Sequence, residues 1–189
     1  MYVLGINGSP HSDGSTAFLI DEVFSNIDDN DVTCERINAQ EVLNDLKNPF
    51  CICCKGDGDG ECYKGTKLDD LFEKMRKADV ILFGSPVYFG GPSAQLKCIF
   101  DKTRKLRKEK ALLGKIGAAI SVGATKYGGQ EPTVCTLHNL MLVEGMTLIG
   151  DSSPSLAGHF GICAQREAKN DEYAILRCKA LAERILMYK

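Results

Sequence analysis

The chain has 189 residues, with 23 Lys+Arg against 25 Asp+Glu, a formal net charge of −2, 44% hydrophobic and 25% charged residues. That is enough chain for one buried core and an ordinary globular composition, which excludes a disordered, collagen-like or nucleic-acid-coating chain. No apolar run approaches the ~20 residues of a membrane helix, and the N-terminal MYVLGINGSP has no basic stretch followed by a long apolar one. The expected location is therefore the cytoplasm, with neither membrane nor nucleic acid as partner.

Residues 2–6 form a short apolar run stopped by the turn formers Asn7-Gly8-Ser9-Pro10, the pattern of a buried strand. Residues 16–24 space Ala17, Leu19, Ile20, Val23 and Phe24 along one helix face, after the cap-type residues Gly14 and Ser15. Residues 32–37 read as a weaker strand. Residues 68–77 read as an amphipathic helix with Asp69 and Asp70 in its first turn, where carboxylates suit the helix dipole. A fully apolar strand at 80–83 leads into a Gly/Pro/aromatic segment at 84–92 and a helix over about 93–106. A buried strand at 116–122, a glycine-rich loop at 123–130 and a helix over 132–144 follow, then a fifth strand at 147–149. The closing helix at 171–188 carries Ala174, Ile175, Cys178, Leu181, Ile185 and Leu186 on its apolar face. This alternation predicts a single α/β domain over 1–189: a parallel sheet with helices on both faces and ligands at the C-terminal strand ends.

The first strand-to-helix loop offers hydroxyls at Ser9, Ser12, Ser15 and Thr16, main-chain amides at a helix start and the imidazole of His11. That is a ligand set for phosphate; the plainer alternative is a polar loop that only caps its helix. Neither GxGxxG nor GxxxxGK[ST] occurs, and the segment from Gly60 to Thr66 has Gly65-Thr66 where the second pattern needs Gly-Lys, so both nucleotide fingerprints are disfavoured. Nine cysteines, an odd number without a secretion leader, argue against a disulfide framework. Cys51, Cys53, Cys54 and Cys62 crowd into a loop at 49–66, while Cys34, Cys98, Cys135, Cys163 and Cys178 read as small core residues. The four thiols lack the paired CxxC spacing of structural zinc, and Asp57, Asp59 and Glu61 lack the pattern of a calcium loop. His138 and His159 read as structural. The basic stretch 102–110 reads as a solvated helix end, with an acidic partner or the phosphates of NADPH as the alternative.

Four segments carry a resemblance: GSPHSDGST after the first strand, CICCKGDGDGEC followed by Leu68-Asp69-Asp70, GSPVYFGGPSAQLK with Asp101, and SVGATKYGGQE. In this order they resemble the flavodoxin-like NAD(P)H-dependent FMN reductases and, among these, the iron–sulfur flavoproteins. The resemblance implies a flavodoxin-like three-layer sandwich with a five-stranded parallel sheet of order 2-1-3-4-5. FMN is the implied cofactor, and because the flavin carries the chemistry no catalytic side chain is expected. Its phosphate maps onto Ser9, His11, Ser15 and Thr16, and its ring onto Pro86, Val87, Tyr88, Phe89 and Gly90. A third flavin-facing loop maps onto Gly123, Tyr127, Gly128, Gly129 and Gln130, leaving room for a nicotinamide or another acceptor. His11 and Ser15 stand where the family commonly has arginine and asparagine, so one phosphate ligand carries a charge that is conditional near neutral pH.

The cysteine loop resembles the ligand loop of a 4Fe-4S cluster, with Cys51, Cys53, Cys54 and Cys62 as the thiol ligands. Asp57 stands where the third cysteine of the family pattern falls and is the other conceivable ligand; the alternative is a loop of vestigial thiols without a cluster. The implied activity is an FMN-dependent oxidoreductase that accepts hydride from NAD(P)H and passes electrons to an unidentified acceptor. The alternative is an FMN electron-transfer or redox-responsive binding protein, with or without the cluster, that meets a ferredoxin-type partner and has no nicotinamide activity. A homodimer or homotetramer is also implied, since flavin sites in the family lie near subunit contacts.

Overall fold

The computed structural model describes residues 1–53 and 58–189; Cys54 and Asp57, both weighed above as cluster ligands, lie outside the described residues. Strand β1 (Tyr2–Asn7) is followed by α1 (Ser15–Ser25), β2 (Thr33–Asn38), α2 (Ala39–Asn44) and α3 (Lys67–Lys77). Next come β3 (Val80–Pro86), α4 (Ala94–Asp101), α5 (Arg104–Glu109), β4 (Ile116–Gly123) and α6 (Gln130–Val143). The chain finishes with β5 (Thr147–Leu148), β6 (Ile162–Gln165), a 3-10 turn at Ala168–Asn170 and α7 (Glu172–Leu186).

All pairings are parallel and the order is β2-β1-β3-β4-β5, with β6 also on β4. Because side chains alternate across a strand, successive apolar residues of β1 and β3 enter opposite layers. Leu4, Ile6, Ile81 and Phe83 pack with α2, α3, α4 and α6, whereas Val3, Val80 and Leu82 pack with α1 and α7. The result is the three-layer flavodoxin-like arrangement read from the sequence.

Several elements differ from expectation: α2 falls where no helix is expected, and β3 runs on to Pro86, three residues past its expected end. The fifth position of the sheet is shared: β5 pairs with Ile116 and Gly117, and β6 with the stretch from Ile120 to Gly123. Gly150, Ser152, Ser153 and Pro154 are turn formers that take the chain off the sheet before Ile162 resumes it. The helix expected over 93–106 is two helices, since Lys102 leaves helical geometry and Thr103 Oγ1 lies 2.7 Å from the Phe100 carbonyl, competing for that acceptor. Finally, the buried face of α7 includes Arg177, while Ile175 and Leu186 are only partly covered.

Arg177 is held by the connection between β5 and β6. Its Nε donates to Asp151 Oδ2 at 2.6 Å, its Nη2 to the Asp151 carbonyl at 2.9 Å and its Nη1 to the Ala157 carbonyl at 2.7 Å. The second Asp151 oxygen accepts the His159 N–H. Both groups are buried, and the hydrogen bond to the Asp151 carboxylate raises the Arg177 pKa above its ordinary value, so the guanidinium keeps its charge.

Candidate functional site

Three loops meet at the C-terminal ends of β1, β3 and β4. The first runs from Gly8 to Gly14 and is shaped from within. Ser9 N–H donates to Asn7 Oδ1 at 3.1 Å, His11 N–H to Ser9 Oγ at 3.1 Å, and Asn7 Nδ2 to the His11 carbonyl at 3.0 Å. Arg36 and Asn38 at the end of β2 brace it: Arg36 Nη1 donates to the Ser12 carbonyl at 2.9 Å and to Asn38 Oδ1 at 2.7 Å. Gly14 sits at the N-cap of α1 with no side chain to cap it, and the first helical bond runs from Phe18 N–H to the Gly14 carbonyl at 3.0 Å. The amides of Ser15, Thr16 and Ala17 therefore form an uncapped, positive helix end.

Ser9 and Thr16 are buried, Ser15 is half-buried and His11 is exposed at the rim. Ser15 Oγ accepts the Ala168 N–H at 3.2 Å, which leaves its hydroxyl proton free to donate. An anion of phosphate size suits this end of the helix, because the amides supply donors and the dipole supplies the field.

The second loop leaves β3 at Pro86. Val87 N–H donates to the Val122 carbonyl at 2.9 Å, and Tyr88 and Gly91 exchange main-chain bonds of 2.9 and 3.1 Å. Phe89 and Gly90 at the centre of this tight turn both have positive φ, 52° and 78°, the geometry of a type I′ turn. A phenylalanine is unusual there, and its ring is fully exposed. Ser93 joins the first two loops: its N–H donates to Ser85 Oγ at 2.9 Å and its own hydroxyl to the Gly8 carbonyl at 2.5 Å.

In the third loop Gly129, at φ 91°, lies against the second, where an added Cβ would sit 3.2 Å from Gly90 Cα and from Val87 Cγ1. Gln130 is buried and its Nε2 donates to the Thr125 carbonyl at 2.6 Å and the Ala164 carbonyl at 3.1 Å. Gly123 backs onto that amide. Both residues therefore shape the loop, while Tyr127 stands exposed at its tip. Asn7, Arg36, Asn38, Ser85 and Ser93 hold the constellation together and were missed by sequence reasoning. For Asn7 and Ser85 the available signal was a polar residue at the end of an apolar strand.

A cavity of about 1010 Å³ opens on the far side of the third loop, against α7, with His159, Tyr173 and Arg177 in its wall. It includes Tyr127, Gly129 and Gln130 but no residue of the first or second loop. The three-loop junction, with its uncapped helix end, is the better candidate for a phosphorylated ligand.

On the cysteine loop, Cys51, Cys53 and Cys62 are exposed free thiols. Among the described residues no three His, Cys, Asp or Glu side chains are gathered closely enough to hold a metal. In chemical type the thiols suit iron–sulfur ligation, and a buried ammonium, Lys102 Nζ, faces Cys62 Sγ at 3.9 Å. Of the five scattered cysteines expected in the core, Cys98 and Cys178 are buried and Cys34 and Cys163 half-buried, whereas Cys135 is exposed on α6; burial pushes the thiols of Cys34, Cys98, Cys163 and Cys178 up in pKa, Cys163 to about 12. No helix is long and apolar enough to cross a membrane among the described residues.

Residues 1–160 match the family described as NADPH-dependent FMN reductase. An iron–sulfur flavoprotein of Methanocaldococcus jannaschii is 37% identical over 190 residues, covering 98% of this chain and 95% of the relative. An iron–sulfur flavoprotein of Methanosarcina thermophila is 33% identical over 190 residues, covering 98% and 93%. Among solved structures, the apo form of an NADH:FMN oxidoreductase superposes with a TM-score of 0.67 at 14% identity, covering 96% of this chain and 88% of the other, a likeness of fold. The chain belongs to the NADPH-dependent FMN reductase family, on its iron–sulfur flavoprotein branch, and is an FMN-dependent oxidoreductase.

Proposed function

We propose that the protein binds FMN at the three-loop junction, accepts hydride there from NADH or NADPH, and passes electrons to a second acceptor. The observation that carries this reading is the uncapped start of α1 beside the Tyr88–Gly91 turn. Bound FMN supplies the hydride-accepting chemistry. The amides of Ser15, Thr16 and Ala17, the Ser15 and Thr16 hydroxyls and the His11 imidazole hold the phosphate. Ser9 keeps the loop in shape through its bond from His11 N–H. Pro86, Val87, Tyr88, Phe89 and Gly90 present a flat main-chain surface to the ring. Gly123, Gly128, Gly129 and Gln130 set the third loop opposite it, with Tyr127 at its tip. Phe89 and Tyr127 are apolar surface left uncovered on one chain, which supports a homodimer or homotetramer with the site near the subunit contact.

In this reading Cys51, Cys53 and Cys62, with Cys54, hold a 4Fe-4S cluster that takes electrons onward. The second reading, an electron-transfer protein that meets a ferredoxin-type partner without nicotinamide activity, is favoured by the exposure of those thiols on one loop. Protein purified without air and mixed with NADH or NADPH separates the two. Loss of the oxidised flavin absorbance with either nicotinamide is expected. Bound FMN that stays oxidised with both, yet is reduced by dithionite, overturns the reductase reading in favour of the second.

A further inference from the structure

The cavity beyond the third loop has walls fixed from within. Its volume of about 1010 Å³ lies at the upper end of the ~300–1,000 Å³ usual for small-molecule sites. Gln130 Nε2 ties the third loop to β6 through the Thr125 and Ala164 carbonyls. On the other side Arg177 ties α7 to the connection between β5 and β6 through Asp151 and the Ala157 carbonyl. This buried pair lines the cavity with its two charges already matched. Three aromatic side chains, Tyr127, Phe160 and Tyr173, stand exposed along the same concave surface. Tyr173 is held in place by its neighbours, with the His159 ring edge-on to it at 6.1 Å between centroids and the Arg177 guanidinium 5.8 Å from its ring centre.

Charge decides what those rings can hold. Both α6 and α7 begin in the cavity wall, and a helix start carries about half a positive charge. Three carboxylates oppose these two ends: Glu131 in the first turn of α6, Asp171 at the N-cap of α7 and Glu172 in its first turn. Lys126 adds one exposed ammonium. Three negative charges outweigh one positive charge and two halves, so the opening is negative. The Cys163 thiol in the wall feels the same sign, since Glu131 and Asp151 add to burial in pushing its pKa up. The face of an aromatic ring is itself the negative part of its quadrupole and attracts cations. We propose that this cavity is a binding site for a flat aromatic cation, stacked on Tyr173 and Phe160 with Tyr127 at its mouth, its charge held by Glu131 and Glu172. The site shares only the third loop with the three-loop junction, and it does not depend on where the flavin sits.

The test uses the full chain loaded with FMN. The probe is proflavine, a flat three-ring cation, set beside anthracene-9-carboxylate, which has a similar frame and the opposite charge. Calorimetric titration and the flavin absorbance retained after dialysis are read for wild type, Tyr173→Ala, Tyr173→Phe and the double Glu131→Gln, Glu172→Gln. The control for net charge is the double Glu73→Gln, Glu109→Gln, whose carboxylates pair with Arg76 outside the cavity. Wild type should bind proflavine at one site per chain, more weakly as salt is raised, and keep its FMN. Tyr173→Ala and the Glu131, Glu172 double variant should each weaken that binding about fivefold or more. Tyr173→Phe, which keeps the ring, and the control should stay close to wild type. Where Tyr173→Ala lowers the urea midpoint, Tyr173→Leu, which keeps apolar bulk without a ring face, should show the same loss. Anthracene-9-carboxylate binding as tightly as proflavine overturns the assigned charge and the proposal with it. Absence of saturable proflavine binding, loss of FMN to the probe, or equal affinity in every variant overturns the site.

Discussion

Three residues at the first loop show how small groups decide the proposed cofactor site. Gly8 N–H donates to the Gly84 carbonyl at 2.7 Å, and a Cβ on Gly8 would lie 2.7 Å from that same oxygen and 2.9 Å from Leu96 Cβ. Gly8→Ala must push apart the ends of β1 and β3, at a cost of roughly 1–3 kcal/mol in stability by the usual scale of overpacking. FMN affinity should fall with it, because the loops proposed to hold the phosphate and the ring separate; urea unfolding and a flavin titration check both. In the proposed site Ser15 and Thr16 would act differently, through hydrogen bonds to the phosphate, a charged acceptor, worth ~1.5–3 kcal/mol each. The double Ser15→Ala, Thr16→Ala variant should weaken FMN binding at least a hundredfold, about 2.7 kcal/mol. Unchanged affinity would place the phosphate elsewhere. The hydroxyls of this loop were legible in the sequence, since they sit between an apolar strand and an apolar helix face. The brace from Arg36 and Asn38 was not, because it depends on β2 lying beside β1 in register, Ile6 against Ile37 and Asn7 against Asn38.

At the scale of elements, most long apolar runs and helix faces were readable to within a residue or two, because burial on both sides of a parallel sheet leaves little choice of residue; β3 runs three residues further, since Gly84, Ser85 and Pro86 look like turn formers and yet pair with β4. Short pieces were not: α2 has six residues and β6 four, and such lengths give no period to detect. The break between α4 and α5 was hidden for another reason, being set by a tertiary contact. Thr103 Oγ1 lies 2.7 Å from Glu144 Oε1 at the C-terminal end of α6, and the other Glu144 oxygen is buried without a partner. Burial raises the Glu144 pKa above the ordinary carboxylate range, against the smaller opposing pull of Thr103 and Arg107. The folded chain thus holds this proton more tightly than the unfolded chain does. Stability falls as pH rises from the ordinary carboxylate value through the raised one, and the charged form destabilises above it. Glu144→Gln should remove this slope and, near neutral pH, leave the protein more stable than wild type by on the order of 1 kcal/mol. Denaturation midpoints across acid and neutral pH check it; parallel curves would refute it.

For the whole molecule, the Asp151–Arg177 pair fastens the 149–161 connection to α7. Asp151→Asn leaves a buried guanidinium without its counter-charge and should cost about 3–5 kcal/mol, read from the urea midpoint. Arg177→Met, Asp151→Asn together should cost less than Asp151→Asn alone, because the double change removes both charges from the interior. The same connection has a consequence for the sheet's outer edge beside β4. An edge strand exposes unpaired main-chain groups that another chain can copy. Here that edge offers two residues, then a gap where the chain swings away, then four more. No continuous template of strand length is presented, so the edge resists stacking with its own kind. The Asp151–Arg177 tether that keeps the gap open is, in this sense, also a guard against fibre growth, and releasing it should raise thioflavin-binding aggregation before the sheet itself unfolds.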